Sequence, residues 1–450
     1  MRFIPNNERV QKEMLAELGL TSMEQLFASI PSEARLDRAL AIAPGMAEAD
    51  QLETFRAIAA KNKGAGANSF LGAGSYDHFI PLTADSLIQR AEFFTAYTPY
   101  QPEVSQGTLQ SIFEFQSFVC HLTGMEVANA SVYDGASATA EAVLMADRAQ
   151  RGRNKIILAG SLHPNYQQVI RTYTANLELE LVEAPVENAS GRLDAQALAG
   201  MLDDSVICVV VQQPNFFGVV EDLESLAEAA HKAGALLVTS ITEAMSLAVL
   251  KSPGDCGADI VAGEAQSFGV PMYFGGPFLG FMATKDAFKR QMPGRIAGQT
   301  VDEAGQRGYV LTLATREQHI RREKATSNIC TNQNLVMMMA VMYLTLMGRE
   351  GLKEAAGQNI AKMAYFKDQI SKVPGFSLRY SGPNFNEVTL TCPKPAAEIV
   401  AACTKKNLLA GYGLGTLGEK SNQELLVAVT ENKTRTQIDE LINALREVSA

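Results

Sequence analysis

The chain has 450 residues, too many for one hydrophobic core, and is read as two or three domains. With 47% hydrophobic and 20% charged residues it has the composition of a globular protein, and a net charge of -10 argues against nucleic acid and anionic membranes as partners. Six cysteines without CxxC pairing and only five histidines argue against a zinc or His-based metal site and suit reduced, structural thiols.

Residues 1–65 read as a helical arm. The start MRFIPNNERV lacks the apolar core of a signal peptide, so a cytoplasmic location is expected. Asn7 is placed to cap a helix that stops at Gly19, Thr21 and Glu24 form a capping box for the next, and Met46 to Lys61 continue the pattern.

Residues 66–330 alternate strand and helix. The loop TAYTPYQPEVSQG (95–107) carries two prolines, which exclude regular structure, and precedes an amphipathic helix. Polar and aromatic side chains on an ordered loop ahead of a rigid helix are placed for binding, and Tyr97 and Tyr100 can stack on a ligand or hydrogen-bond to it. YDGASATAEA (133–142) opens a helix with small residues and hydroxyls, suited to an anion, although a well-capped structural helix is the reading this stretch alone favours. KIILAG (155–160), LELELVEAP (177–185), the wholly apolar SVICVVV (205–211) and ALLVTSI (235–241) read as strands, with helices at 163–176 and after Asp222. Strand–helix–strand units of this length imply right-handed parallel crossovers, hence an α/β domain with a large, mostly parallel sheet.

The stretch GADIVAGEAQSFGVPMYFGGPFLGFMAT (257–284) has no Asp, Glu, Lys, Arg, His or Cys between Glu264 and its end. Its uncharged length is enough for a membrane span, but its glycines and prolines exclude a lipid-exposed helix. In REQHIRREKATSNICT (316–331) the charged part reads as a solvated helix face with i,i+4 pairs. Its polar tail, with Asn328, falls at a domain junction where ligand clefts concentrate. Residues 331–450 form a smaller α+β domain: a Met-rich helical run, a long helix Leu352 to Val373, short strands and helices near 396–405 and 436–448. The methionines are core filler on this reading.

Taken together, TAYTPYQPEVSQG, YDGASATAEA, QSFGVPMYFGGPFLGFMAT and REQHIRREKATSNICTN resemble the glycine cleavage system P-protein family, specifically its alpha-type subunits, within the fold-type I pyridoxal-phosphate enzymes. The resemblance covers nearly the whole chain. It implies a helical arm, a large parallel-sheet domain and a small C-terminal domain. It also implies decarboxylation of glycine, with transfer of the aminomethyl group to the lipoyl arm of H-protein.

Where such enzymes carry the lysine that anchors pyridoxal phosphate, this sequence has Gln266 and Ser267, and Glu243 stands near where an aspartate would face the pyridinium nitrogen. An amide or hydroxyl cannot form a Schiff base. The resemblance therefore implies that the cofactor is carried by a second subunit, in a heterotetramer of two chains of each kind. It further implies that Tyr97, Tyr100, Ser105, Gln106 and Asn328 serve that partner's site. Two alternatives stand beside this reading: a structural or regulatory subunit with a vestigial site, and a self-sufficient enzyme that uses Lys324.

Overall fold

The computed structural model describes residues 6–449 apart from positions 37, 63 and 65; the first five residues of the polar start lie outside the described residues. The chain forms two compact units, Met1–Ala65 and Gly66–Ala450. In the first, α1 (Glu8–Glu17) is capped by the Asn7 side chain, which accepts from the Val10 N–H at 3.1 Å. Gly19, at φ 70°, lets the chain turn away as Leu20 N–H bonds back to the Leu15 carbonyl. The expected second helix is only a 3-10 turn, Met23–Phe27. Its box uses Ser22 and Gln25, one residue beyond the expected pair, because the Gln25 carboxamide accepts from the N–H groups of Thr21 and Ser22. Helix α2 is Glu48–Ala59.

The second unit is built on seven strands: β1 (Val127–Ala128), β2 (Lys155–Ala159), β3 (Glu180–Ala184), β4 (Val206–Gln212), β5 (Leu236–Ile241), β6 (Ile260–Glu264) and β7 (Gly280–Thr284). Their order is β1-β7-β6-β5-β4-β2-β3, and only β7 runs against its neighbours. Alternate residues of one strand enter different cores. Val209 and Val211 face the cluster containing α3 (Gln106–Thr123) and α6 (Leu223–Lys232), whereas Cys208 and Val210 face the one with α4 (Gly135–Ala149) and α5 (Pro164–Thr174). Burial on both faces explains why these strands are continuous apolar runs. The uncharged stretch after Glu264 is a turn leading into β7.

A hairpin, β8 (Ile296–Val301) and β9 (Arg307–Thr312), follows. Helix α7 (Asn334–Ile370) then joins the two expected helical segments, with a break at Gly348, whose φ is 57°. By length and composition α7 could cross a membrane. Instead its first half, including Met337, Met338 and Tyr343, packs into the sheet core, and Met363, Phe366 and Ile370 pack into a third core. That third core underlies the antiparallel strands β10 (Ser377–Leu378), β11 (Glu387–Thr391), β12 (Tyr412–Gly413) and β13 (Glu424–Ala428), with α8 (Ala396–Thr404) and α9 (Arg435–Ser449). The strand order there is β10-β11-β13-β12.

Candidate functional site

Strands β5 and β6 end beside the start of α4, the region that corresponds by the resemblance to the cofactor lysine of fold-type I enzymes. Glu264, the last residue of β6, is buried, and its carboxylate accepts from the N–H groups of Gly135 (3.0 Å), Leu279 (2.7 Å) and Gln266 (3.1 Å). Burial pushes its carboxyl up to about 7, against the pull of those N–H groups. A Cβ at position 135 would lie 2.2 Å from the Tyr166 hydroxyl and 2.8 Å from the Glu264 side chain, so glycine is required by this close approach. Asp134 caps the same helix through the Ser137 N–H at 2.7 Å. Two of the orphan donors of this helix start, the N–H groups of Gly135 and Ser137, are thus used by the chain's own carboxylates.

Gln266 and Ser267 are equally committed. The Gln266 carbonyl accepts from Tyr76 N–H (3.0 Å), and its amide donates to the backbone oxygens of Tyr76 (3.1 Å) and Val270 (2.7 Å). Ser267 donates its hydroxyl to Glu243 Oε1 at 2.7 Å. Glu243 also accepts from Asn386 (2.8 Å) and lies 3.0 Å from His78 Nε2, while His78 Nδ1 is 2.8 Å from Glu431. Asn359 donates to Glu431 at 2.8 Å, and Glu387 accepts from the Tyr76 hydroxyl (2.9 Å) and the Ala73 N–H (2.7 Å).

Burial alone would lower the His78 pKa. The two flanking carboxylates, Glu243 foremost, instead hold it at about 10, so the ring is an imidazolium donating to both. The segment around Tyr76 and His78 therefore fills the region with a hydrogen-bonded plug. The residues present do not fit covalently held pyridoxal phosphate: no amine is available, Ser267 is bound to Glu243, and the α4 N-terminus holds Glu264.

The loop ahead of α3 has a different character. Tyr97 and Tyr100 are 78% and 56% exposed, with ring centroids 6.5 Å apart. The foot of the loop is fixed. The Gln106 amide donates to the carbonyls of Pro102 (2.7 Å) and Tyr309 (2.8 Å), and its oxygen accepts from Tyr309 N–H at 2.8 Å. Gln106 thus spends its hydrogen bonds within the chain and positions the loop against β9. Ser105 is half-buried and makes no side-chain cap to α3; Asn328 is exposed.

Three of the motifs converge here. Tyr133 accepts through its hydroxyl from the Cys330 N–H at 2.8 Å, Arg295 donates to the Cys330 carbonyl at 3.2 Å, and the Arg295 guanidinium lies 5.5 Å from the Tyr100 ring centroid. The charged run is not the solvated helix expected. Arg316 and Glu317 are buried, with 3.9 Å between their charged groups, and the helix spans only Gln318–Arg321, because Arg316 turns inward to the carbonyls of Leu313 and Gly294. Lys324 is exposed in the turn that follows. Sequence reasoning missed His78, Glu264, Arg295 and Glu431. The only local signal was an acidic residue ending an apolar strand, Glu264, and an isolated arginine after Pro-Gly, Arg295.

Comparison with known proteins agrees with this architecture. The family model described as "Glycine cleavage system P-protein" matches residues 1–445. "Probable glycine dehydrogenase (decarboxylating) subunit 1" of Desulforamulus reducens is 48% identical over 450 residues, covering 100% of both chains. Among solved structures, glycine decarboxylase (P-protein) of the glycine cleavage system, in inhibitor-bound form, superposes with a TM-score of 0.90 at 42% identity, covering 100% of both chains. A C-DES mutant with glycine covalently linked to its PLP cofactor shares the fold alone, with a TM-score of 0.63 and 14% identity over 85% of this chain and 97% of that one. The expected mostly parallel α/β architecture and the expected family both hold: this chain belongs to the glycine cleavage system P-protein family and serves glycine decarboxylation as one subunit of that enzyme.

Proposed function

We propose that this chain is the cofactor-free subunit of the glycine-decarboxylating complex and lends its tyrosine loop to the active site of a pyridoxal-phosphate-bearing partner subunit. The observation that supports this most directly is the plug. Glu264 on the α4 N-terminus and Ser267 bound to Glu243 occupy the places a cofactor would need, whereas Tyr97 and Tyr100 stand outward on a loop with a fixed foot.

In this reading the phenols of Tyr97 and Tyr100 donate hydrogen bonds to bound glycine, and their rings exclude water around the carboxylate that departs. Ser105 and Asn328 add polar contacts, while Gln106 keeps the loop in register. The aminomethyl carbon passes to the lipoyl arm of H-protein, and the assembly holds two chains of each kind and works in the cytoplasm.

The test is glycine–bicarbonate exchange with this chain alone, the partner alone and both together, followed by Tyr97→Phe and Tyr100→Phe in the reconstituted complex. Exchange should require both chains. Each substitution should lower turnover on the order of 10-fold or more with assembly intact. A chain that by itself holds pyridoxal phosphate on one of its lysines and releases carbon dioxide, or tyrosine variants with full turnover, overturns the reading.

A further inference from the structure

Four basic side chains are buried among the described residues: His78, Arg295, Arg316 and Lys433. Three of them have an acidic partner. His78 lies between Glu243 and Glu431, Arg316 is 3.9 Å from Glu317, and Lys433 is 2.6 Å from Asp77. Arg295 has none. At 5% exposure its guanidinium meets only neutral groups, the Cys330 carbonyl at 3.2 Å and the Asn332 side-chain oxygen at a long 3.5 Å, with the Tyr100 ring over it. A guanidinium is not deprotonated in a protein, and an ion held out of water without a counter-charge is costly. Its five N–H donors are also far from used up by two acceptors.

The local structure keeps that cation in place. The Arg295 carbonyl accepts from Ala130 N–H at 2.8 Å, and Asn332 is itself held by the Ala130 carbonyl at 3.2 Å. Strand ends, the Ser-Asn-Ile-Cys-Thr tail and the tyrosine loop therefore meet at one rigid positive charge. Its covering ring belongs to Tyr100, which is more than half exposed.

We propose that Arg295 binds the carboxylate of glycine in the assembled site, with Tyr100 as the lid over its face. A flat fork of N–H groups matches the two oxygens of a carboxylate. The proposal rests on the reading that the tyrosine loop serves the partner's site, and it names the substrate group that loop covers.

The experiment uses the reconstituted two-subunit complex with Arg295→Ala and Arg295→Lys. The expected result for Arg295→Ala is a KM for glycine raised roughly 30-fold or more. Its cofactor absorbance should be unchanged, with partial recovery of the KM by added guanidinium. Arg295→Lys, which keeps the charge but loses the fork, should fall between. An unaltered KM in both variants overturns the proposal, as does loss of cofactor absorbance without a change in KM. If Arg295→Ala fails to fold, Arg295→Lys carries the decision through its KM alone. If Tyr97→Phe and Tyr100→Phe impair turnover while the arginine variants keep the native KM, only this inference fails; if all four behave as native, the loop's role fails with it.

Discussion

At the scale of single residues, the proposed cofactor-free role rests on more than one missing amine. Ser267 is buried with its hydroxyl on Glu243, and Glu243 is shared with the His78 imidazolium. Restoring an amine by Ser267→Lys would remove the hydroxyl that donates to Glu243 and force a long side chain into a packed network of one imidazolium and two carboxylates. The new side chain would also have to displace the Tyr76–His78 segment. We expect Ser267→Lys to acquire no visible absorbance band on incubation with pyridoxal phosphate. It should also lose on the order of 3 kcal/mol or more of stability, since overpacking and the lost hydrogen bond to Glu243 act together. Denaturant melts and absorbance spectra of the isolated chain check both; a stable variant with an aldimine-type band would mean the plug is no barrier.

At the scale of elements, the tyrosine loop depends on its foot. Gln106 ties the start of α3 to Tyr309 of β9 through both ends of its carboxamide, and to Pro102 within the loop. Gln106→Ala leaves the Tyr309 backbone groups without that partner, at a cost of about 1–3 kcal/mol. Because the loop carries Tyr97 and Tyr100, exchange activity of the complex should fall on the order of 10-fold, beyond what a small decrease in Tm accounts for. Gln106→Glu, which preserves the acceptor but not the donor, should lie between. Equal activity in all three proteins would show that the loop's position does not matter.

The same scale shows what could be read in advance. Strands β4 and β5 were legible because a β-branched run buried on both faces leaves few other options, and α6 because Asp222 caps it through Ser225 N–H. The absent lysine was legible because an absence of chemistry needs no geometry. The plug was not, since His78 and Glu431 lie 353 positions apart, and no periodicity connects them. Arg295 escaped for the same reason: its significance lies in what fails to surround it. The short 3-10 turn at Met23–Phe27 was overread as a helix because capping chemistry marks where a turn begins without saying how far it propagates.

At the scale of the whole unit, the plug stitches the large sheet to the C-terminal elements. His78 and Tyr76 precede the first long helix, Glu243 follows β5, Asn359 lies in α7, Glu387 begins β11 and Glu431 follows β13. Its titration should therefore appear in global stability. His78 is raised from 6.5 to about 10, so its contribution is complete below pH 6.5 and is lost as pH rises through about 10. Glu264 and Glu387, raised by burial from 4.5 to about 7, also bind more protons folded than unfolded, so their ionisation erodes stability between pH 4.5 and 7 and then levels off. Glu431 acts oppositely: burial raises its pKa, but the His78 charge and hydrogen bonds outweigh that and lower it, so its contribution is lost only as pH falls below the usual carboxylate range. The isolated chain should accordingly be most stable in mildly acidic solution. It should lose stability from pH 7 to pH 10 at up to about 1.4 kcal/mol per pH unit for the His78 proton. His78→Gln should be less stable at pH 7, where Glu243 and Glu431 lose their shared cation, and should show a flatter limb from pH 7 to 10. Thermal melts across that range decide the matter, because limbs that stay parallel in the two proteins would mean the imidazolium is not what holds the two halves of the unit together.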